Sequence, residues 1–123
     1  IKAFFAESED AFRAAETRTL AYLAECDGAV IATGGGAVKR AENMELLKHG
    51  GVVVFIDRKP ENIIGCIAGD ERPLLAADKQ KLYTLYNERI ALYRRYADYT
   101  IDNNGDFGRV LHELLNIAAK LEG

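Results

Sequence analysis

Three consecutive glycines, Gly34 to Gly36, directly follow a short apolar stretch that ends at Thr33. Glycine loses more conformational freedom on folding than any other residue, so three in a row rarely serve stability. They let the chain turn sharply, and they let a ligand reach main-chain N–H groups with no Cβ in between. Ligands of α/β sheets bind where strands end. Two interpretations stay open, a flexible strand–helix turn or one wall of a binding site, and the glycines alone favour the turn.

Three arginines have neighbours that suit anion binding. Arg13 and Glu16 share one helical face and can pair, either as a plain surface ion pair or as a fixed clamp for a carboxylate. Arg72 precedes a proline in an irregular segment, where it is either a solvated loop residue or a lid arginine that reaches a reacting phosphate. Arg89 lies near the apolar row of a long helix, either extended to solvent or paired into a cleft.

Bulk composition excludes several classes of function. The 123 residues suffice for one domain, and 49% hydrophobic with 28% charged residues is ordinary for a globular protein. A net charge of −3 gives no basic field, so nucleic acid is not an expected partner. No apolar run approaches the roughly 20 residues that span a membrane. Cys26 and Cys66 lack metal-ligand spacing and indicate reduced thiols of a cytoplasmic protein, and no metal ligand is predicted on this chain.

The elements that must position these residues alternate between strand and helix. Strands are predicted over residues 29–33, 52–56 and 99–101, and the second lacks alternation, which predicts burial on both faces. This order predicts a parallel α/β sheet. Helices are predicted over residues 2–25 with a break near 7–10 and Ser8 as a cap, 39–49, 61–66 from Pro60, 79–96 and 107–121.

Four short segments, taken together and in this order, resemble the shikimate kinase family. Each is weak alone, whereas all four on matching elements are specific, and the similarity runs from about Ala3 to the end of the chain. The segments are Phe12-Arg13-Ala14-Ala15-Glu16, Ala32-Thr33-Gly34-Gly35-Gly36, Arg72-Pro73-Leu74-Leu75, and Arg89 followed by Leu92-Tyr93.

The resemblance implies a fold and an activity. The fold is a three-layer α/β/α parallel sheet of the P-loop kinase, nucleoside-monophosphate-kinase-like type, with five strands in the order 2-3-1-4-5. Residues 1–123 would form a single domain, with residues 67–78 as its lid loop. Enzymes of this family transfer the γ-phosphoryl group of ATP to the 3-hydroxyl of shikimate in aromatic amino-acid biosynthesis. The implied partners are shikimate and ATP, without nucleic acid or membrane, and the implied state of the complete protein is a monomer.

Carried over residue by residue, the resemblance assigns the acceptor site to five residues. Arg13 and Arg89 would bind the shikimate carboxylate, because a carboxylate accepts a planar guanidinium bidentately. The backbone of Gly34, Gly35 and Gly36 would lie along the shikimate ring, where a flat polyhydroxylated ring needs close main-chain contact.

The resemblance also assigns the nucleotide side of the reaction. Arg72 would be the catalytic lid arginine that reaches the phosphates. Asp102 to Gly105 match, loosely, the stretch that approaches the adenine, and Asp102 and Asn103 are the expected nucleotide-binding residues within it. Gly65 and Cys66 stand where the family often has a further arginine leading into the lid, so one nucleotide contact is expected to be missing or supplied otherwise.

No stretch of the sequence reads G-x-x-x-x-G-K-[ST]. The resemblance places the phosphate loop, the Mg²⁺ ligands and the aspartate that handles the shikimate hydroxyl upstream of Ile1. The domain is therefore predicted to be N-terminally incomplete and to lack its first two strands, so the segment alone is expected to be inactive. Strands 29–33 and 52–56 would then pair directly or gain a strand from another molecule, because unpaired backbone groups are costly when buried.

Two other interpretations stay open beside this one. A non-catalytic kinase-like domain that binds a metabolite or a partner protein would also lack a phosphate loop, and the sequence upstream of Ile1 distinguishes it. A related small-molecule kinase, such as a gluconate kinase, is disfavoured by the segments 33–36 and 72–75.

Overall fold

The computed structural model describes residues 8–67 and 76–122. The chain divides into two compact units, Ile1–Val53 and Val54–Gly123. The first unit holds helix α1 (Glu9–Leu23), a 3-10 turn (Ala37–Lys39) and helix α2 (Ala41–Gly50). The second holds strand β1 (Val54–Asp57), helices α3 (Pro60–Ile67) and α4 (Ala76–Tyr96), strand β2 (Tyr99–Asp102) and helix α5 (Phe107–Glu122).

Helix α1 begins at a cap that the sequence predicts. The Oγ of Ser8 accepts a hydrogen bond from the backbone N–H of Ala11 at 3.2 Å, which satisfies one of the donors that a helix N-terminus leaves open. The helix packs on α2. Leu20 of α1 and Met44 of α2 are both buried, and they form the apolar part of the first unit.

Removal of the Ser8 cap is expected to destabilise the protein moderately. Ser8→Ala should lower the free energy of unfolding by about 1 kcal/mol, because the N–H of Ala11 loses its partner. Ser8→Asp keeps an acceptor at the cap and should stay close to the wild type. Urea unfolding of both variants measures the difference, and an alanine variant as stable as the aspartate variant would contradict the role of this cap.

In the second unit, β1 and β2 pair in parallel, and the register runs from Val54 opposite Tyr99 to Asp57 opposite Asp102. Helices flank this pair in chain order, which confirms the α/β class. A small core lies between β2 and α5. It consists of Ile101, Val110 and Ile117, with Val54, Tyr99 and Leu114 packed against it.

The prediction of a strand over residues 29–33 is wrong. Within residues 8–67 and 76–122 the sheet contains only β1 and β2, and Val30 is 99% exposed. A strand is defined by the strand it pairs with, and in the order 2-3-1-4-5 the partners of this segment would be strands 1 and 2. The segment therefore does not pair directly with residues 52–56, which was one of the two expected outcomes.

Two further predictions need correction. Strand β1 is not buried on both faces, since Ile56 is 44% exposed. A continuous apolar run predicts burial on both faces only when a layer covers each face of the sheet. Helix α4 begins at Ala76 rather than Lys79, so residues 76–78 of the expected lid are helical. The remainder of that loop, residues 68–75, lies outside the described residues.

None of the helices in the described part of the chain combines the length and apolarity that crossing a membrane requires.

Candidate functional site

The guanidinium of Arg13 on α1 is held by carboxylates of its own helix. Its Nη1 lies 3.0 Å from Oε1 of Glu16, and its Nε lies 3.8 Å from Oε1 of Glu9. The guanidinium also lies 5.2 Å from the ring centroid of Phe12. Only 12% of the Arg13 side chain is exposed. The Arg13–Glu16 pair expected from the spacing is thus confirmed, and it fixes the orientation of the cation before any ligand binds.

The same guanidinium lies directly on Gly36. A methyl group at this position would overlap both terminal nitrogens of Arg13 and lie 2.5 Å from its Cζ. Gly36 is buried, whereas Gly34 and Gly35 are exposed. The structure therefore places a held guanidinium beside exposed glycine main chain, and the missing side chain at Gly36 is what permits the contact. This combination suits a ligand that carries a carboxylate and presents a flat face.

Two cations after the glycines tie the 3-10 turn to α1. Nζ of Lys39 lies 3.2 Å from Oε1 of Glu9, so Glu9 faces both Lys39 and Arg13. Nη1 of Arg40 donates to Oγ1 of Thr17 at 3.3 Å. Since Thr17 and Glu9 flank Arg13 on its helix, these contacts fix the distance between the turn and the arginine.

Asn43 fixes the turn from the α2 side. Its side chain is fully buried, and Nδ2 donates to the backbone oxygen of Ala37 at 2.9 Å. Its Oδ1 is buried and accepts no hydrogen bond from the described residues. Sequence analysis missed Asn43, because an asparagine in the first turn of a helix is common and the carbonyl that it binds lies in a different element.

Substitutions of Asn43 should differ according to the charge that they bury. Asn43→Leu removes the unpaired Oδ1 but also leaves the buried carbonyl of Ala37 without this donor, so it should lower the free energy of unfolding by about 1–2 kcal/mol. Asn43→Asp places a carboxylate against the carbonyl of Ala37 and should cost about 3 kcal/mol or more. Urea unfolding of the two variants compares them, and equal stabilities would contradict the buried position of this side chain.

In the second unit, two aromatic residues anchor α4 on β1. The hydroxyl of Tyr86 donates to Oδ1 of Asp57 at 3.0 Å, and the ring of Tyr93 stacks on Phe55 with centroids 5.0 Å apart. Arg89 lies three residues after Tyr86 and four before Tyr93, so it shares their side of the helix. It is half-buried and makes no hydrogen bond or ion pair with the described residues. Arg89 is therefore a cation in fixed surroundings that is available to an anionic ligand.

Burial, followed by the hydrogen bond to Asp57 and the charge of that carboxylate, raises the pKa of Tyr86 above its ordinary value. The phenol therefore stays protonated at physiological pH and continues to donate. The hydrogen bond that anchors α4 on β1 is therefore not lost through ionisation of Tyr86 near neutral pH.

At the carboxyl end of β2, Asp102 and Asn104 form a tight turn. Oδ1 of Asp102 accepts from the backbone N–H of Asn104 at 2.8 Å and from its Nδ2 at 2.7 Å. These hydrogen bonds, the backbone bond first, hold the pKa of Asp102 below its usual value. The turn therefore keeps these bonds above the lowered pKa and loses their stabilisation as the pH falls through it.

A second set of bonds joins this turn to the end of β1. Nη1 of Arg58 donates to the backbone oxygen of Asn103 at 2.5 Å, and Nη2 donates to that of Asn62 at 3.3 Å. Oδ1 of Asn104 accepts from the backbone N–H of Lys59 and from Nδ2 of Asn62, both at 2.8 Å. Sequence analysis missed Arg58 and Asn62, although the expected adjacency of parallel strand ends was a signal for them. It included Asn104 in the stretch expected near the adenine but gave its side chain no role.

The expected site residues fall into both units. Arg72 lies outside the described residues, and so does the side chain of Cys66. Within the described ranges, no group of three His, Cys, Asp or Glu residues could hold a metal ion, so no step is assigned to Mg²⁺ on these residues. The first unit holds Arg13, Gly34, Gly35 and Gly36, and the second holds Arg89, Asp102 and Asn103.

Comparisons with known proteins agree with one another. A family model described as shikimate kinase matches residues 1–119. The chain is 39% identical over 117 residues to a shikimate kinase of Clostridium botulinum (strain Alaska E43 / Type E3), covering 95% of this chain and 71% of that protein. It is 41% identical over 121 residues to one of Pseudomonas syringae pv. tomato, covering 96% of this chain and 69% of that protein.

A solved structure is similar as well. The chain matches the shikimate kinase from Acinetobacter baumannii in complex with shikimate, with a TM-score of 0.79 and 37% identity. The match covers 95% of this chain and 68% of that one. Sequence and structure therefore point to the same family, over nearly all of this chain and somewhat more than two thirds of the matched proteins.

Proposed function

Because the chain belongs to the shikimate kinase family, we propose that it supplies the shikimate site and the lid of an enzyme that transfers the γ-phosphoryl group of ATP to the 3-hydroxyl of shikimate. One observation carries the proposal. The guanidinium of Arg13, held by Glu16, lies on buried Gly36 beside exposed Gly34 and Gly35. A cyclic carboxylic acid with hydroxyl groups matches both features, the cation and the open main chain.

In the proposed complex, Arg13 and Arg89 act on the carboxylate of shikimate. Arg13 presents a guanidinium whose direction is already fixed, so little side-chain entropy is lost when the ligand binds. Arg89 contributes a second cation without giving up an existing partner among the described residues. The glycine backbone then lies along the ring, and the carboxylate sets which hydroxyl faces the phosphoryl donor.

The proposed chemistry is positioning and charge stabilisation. The oxygen of the 3-hydroxyl forms a bond to the γ-phosphorus, and the bond from that phosphorus to the β–γ bridging oxygen breaks, so that ADP leaves. The proton of the hydroxyl passes to the expected aspartate, which lies outside the described residues. We assign Arg72 to the charge that develops on the phosphoryl group, and Asp102 and Asn103 to the surroundings of the adenine. Mg²⁺ neutralises phosphate charge in such reactions, and its ligands are expected outside the described residues.

The proposal extends to the state of the protein. We propose a single domain that is monomeric, binds no nucleic acid or membrane, and works in the cytoplasm. The net charge of −3 supports the proposal that the protein binds no nucleic acid. A cytoplasmic location fits an enzyme whose phosphoryl donor is ATP.

Release of ADP in the presence of shikimate tests this function. The full-length protein should release ADP from ATP in a shikimate-dependent and saturable way, and the product should carry phosphate on the 3-hydroxyl, which phosphorus NMR identifies. ATP turnover that does not depend on shikimate, or phosphate on a different hydroxyl, would overturn the proposed function.

A further inference from the structure

The guanidinium of Arg58 joins two loops that follow neighbouring strands. Arg58 directly follows β1, and Asn103 directly follows β2. Nη1 of Arg58 donates to the backbone oxygen of Asn103 at 2.5 Å. Its other terminal nitrogen donates to the backbone oxygen of Asn62 in α3 at 3.3 Å. The guanidinium is therefore part-buried and bonded to two carbonyl oxygens, not extended into solvent as an ordinary surface arginine would be.

Asn104 makes the connection from the opposite direction. Its Oδ1 accepts from Lys59 N and Asn62 Nδ2, and its Nδ2 donates to Oδ1 of Asp102. One side chain thus joins the loop after β1, the helix α3 and the end of β2. All three hydrogen bonds are 2.8 Å or shorter, within the range of well-formed bonds.

Packing contributes little to this turn. A Cβ added at Gly105 would meet no atom within 4 Å, and Asp102 is exposed. Buried apolar residues end at Ile101, just before the turn begins. The conformation of residues 102–105 therefore rests on polar contacts. The backbone N–H of Asn103 donates to the oxygen of Asp57 at 2.8 Å, and the side chains of Arg58 and Asn104 supply the other bonds to neighbouring segments, so the turn should change when either side chain is lost.

We propose that Arg58 and Asn104 are positioning residues of the nucleotide site: they hold the turn 102–105 in the conformation that receives the base of an adenine nucleotide. This inference rests on the proposed function, which assigns Asp102 and Asn103 to the adenine. Neither residue needs to touch the nucleotide, because each acts through the backbone of the turn. Their loss should weaken ATP binding and leave shikimate binding unchanged.

A matched pair of substitutions tests the proposal. Arg58→Met removes the cation and both hydrogen bonds at similar volume, whereas Lys59→Met removes one positive charge from the adjacent, exposed side chain. Steady-state assays of the full-length protein give the KM values for ATP and shikimate. We expect Arg58→Met to raise the KM for ATP about tenfold, and Lys59→Met to leave it within about twofold of the wild type.

Asn104→Ala is the second variant and keeps the test decisive if Arg58→Met does not fold. It lies in a surface turn, and it should raise the KM for ATP about fivefold with the KM for shikimate unchanged. Arg58→Lys offers one ammonium in place of the two-nitrogen fork and should rescue Arg58→Met only in part. An equal rise of both KM values, or a fall in thermal stability with no change in the KM for ATP, would overturn the inference.

Direct nucleotide binding separates this inference from the proposed function. Titration with a fluorescent ADP analogue reports the dissociation constant in the absence of shikimate. If shikimate is not phosphorylated but Arg58→Met still weakens ADP binding about tenfold, the proposed function fails and the positioning role survives. If shikimate is phosphorylated and ADP binds the variant as it binds the wild type, the positioning role fails alone.

Discussion

Replacement of Arg89 by alanine is expected to lower kcat/KM for shikimate about a hundredfold, equivalent to about 2.7 kcal/mol of lost binding to the carboxylate. The effect is large because Arg89 is half-buried and has no ion pair to a described residue that would compete with the ligand. The anchors on either side, Tyr86 on Asp57 and Tyr93 on Phe55, keep the helix in place when the side chain is removed. Steady-state assays with varied shikimate at saturating ATP measure the change.

Arg94→Ala is the matched control for this substitution. Arg94 is exposed on the same helix, five residues further along, so the same charge is removed from the same element. It should change kcat/KM for shikimate by no more than about twofold. Arg89→Lys should recover only part of the loss, because an ammonium cannot form two parallel bonds to a carboxylate. Equal losses for Arg89→Ala and Arg94→Ala would contradict the assignment of Arg89.

Gly36→Ala is expected to weaken shikimate binding about fiftyfold, or by about 2.3 kcal/mol. The new methyl group would occupy the space of the Arg13 guanidinium. The end of the Arg13 side chain would have to shift to make room, and we expect this shift to weaken its 3.0 Å contact with Glu16, because only 12% of the side chain is exposed. The substitution therefore displaces the cation without changing its charge, and calorimetric titration with shikimate measures the loss.

Two other glycines provide the comparison. Gly65→Ala adds a methyl group where nothing lies within 4 Å, inside α3, and should stabilise the protein by about 0.5–1 kcal/mol without changing shikimate binding. Gly34→Ala meets only Glu16 Oε2 at an ordinary 3.6 Å, so the free protein should tolerate it. If Gly36→Ala bound shikimate as tightly as Gly65→Ala does, the contact between Arg13 and Gly36 would have no role in the site.

Local sequence signals predicted the parts of the site that one element forms. The cap at Ser8 and the pair of Arg13 with Glu16 depend on residues three positions apart, so a helical periodicity suffices to find them. The position of Arg89 on the inner side of α4 follows from the same periodicity. These contacts need no knowledge of what lies beside the helix.

Direct contacts between distant segments were not predicted, although the resemblance assigns Arg13 and Gly34 to Gly36 to the same site. The contact between Arg13 and Gly36 joins residues 23 positions apart, and the hydrogen bond from Arg58 to Asn103 joins residues 45 positions apart. Such pairs depend on topology, which composition does not report. The prediction of a strand over residues 29–33 was wrong for a related reason. The apolar, β-branched character of this segment is typical of a strand, but a strand also needs a neighbouring strand that donates and accepts hydrogen bonds.

The network around Asn104 shows how much a resemblance can and cannot supply. The resemblance directed attention to residues 102–105, with Asp102 and Asn103 as the expected contacts, yet the side chains that join this turn to neighbouring segments are those of Arg58 and Asn104. Residues that position a loop are less conspicuous in a sequence than residues that resemble a motif. Their number and geometry become visible only when the two strand ends are placed side by side.

The central claim is that Arg13 and the glycine turn recognise the carboxylate of shikimate, and a calorimetric comparison of two ligands tests it most directly. The wild-type protein and Arg13→Lys are each titrated with shikimate and with its methyl ester, which keeps the ring and the hydroxyl groups but has no negative charge. Shikimate should bind the wild type at least about thirtyfold more tightly than the ester, and this preference should fall clearly in Arg13→Lys, with the remainder supplied by Arg89. Equal binding of the acid and the ester by the wild type, or an unchanged preference in Arg13→Lys, would contradict the claim.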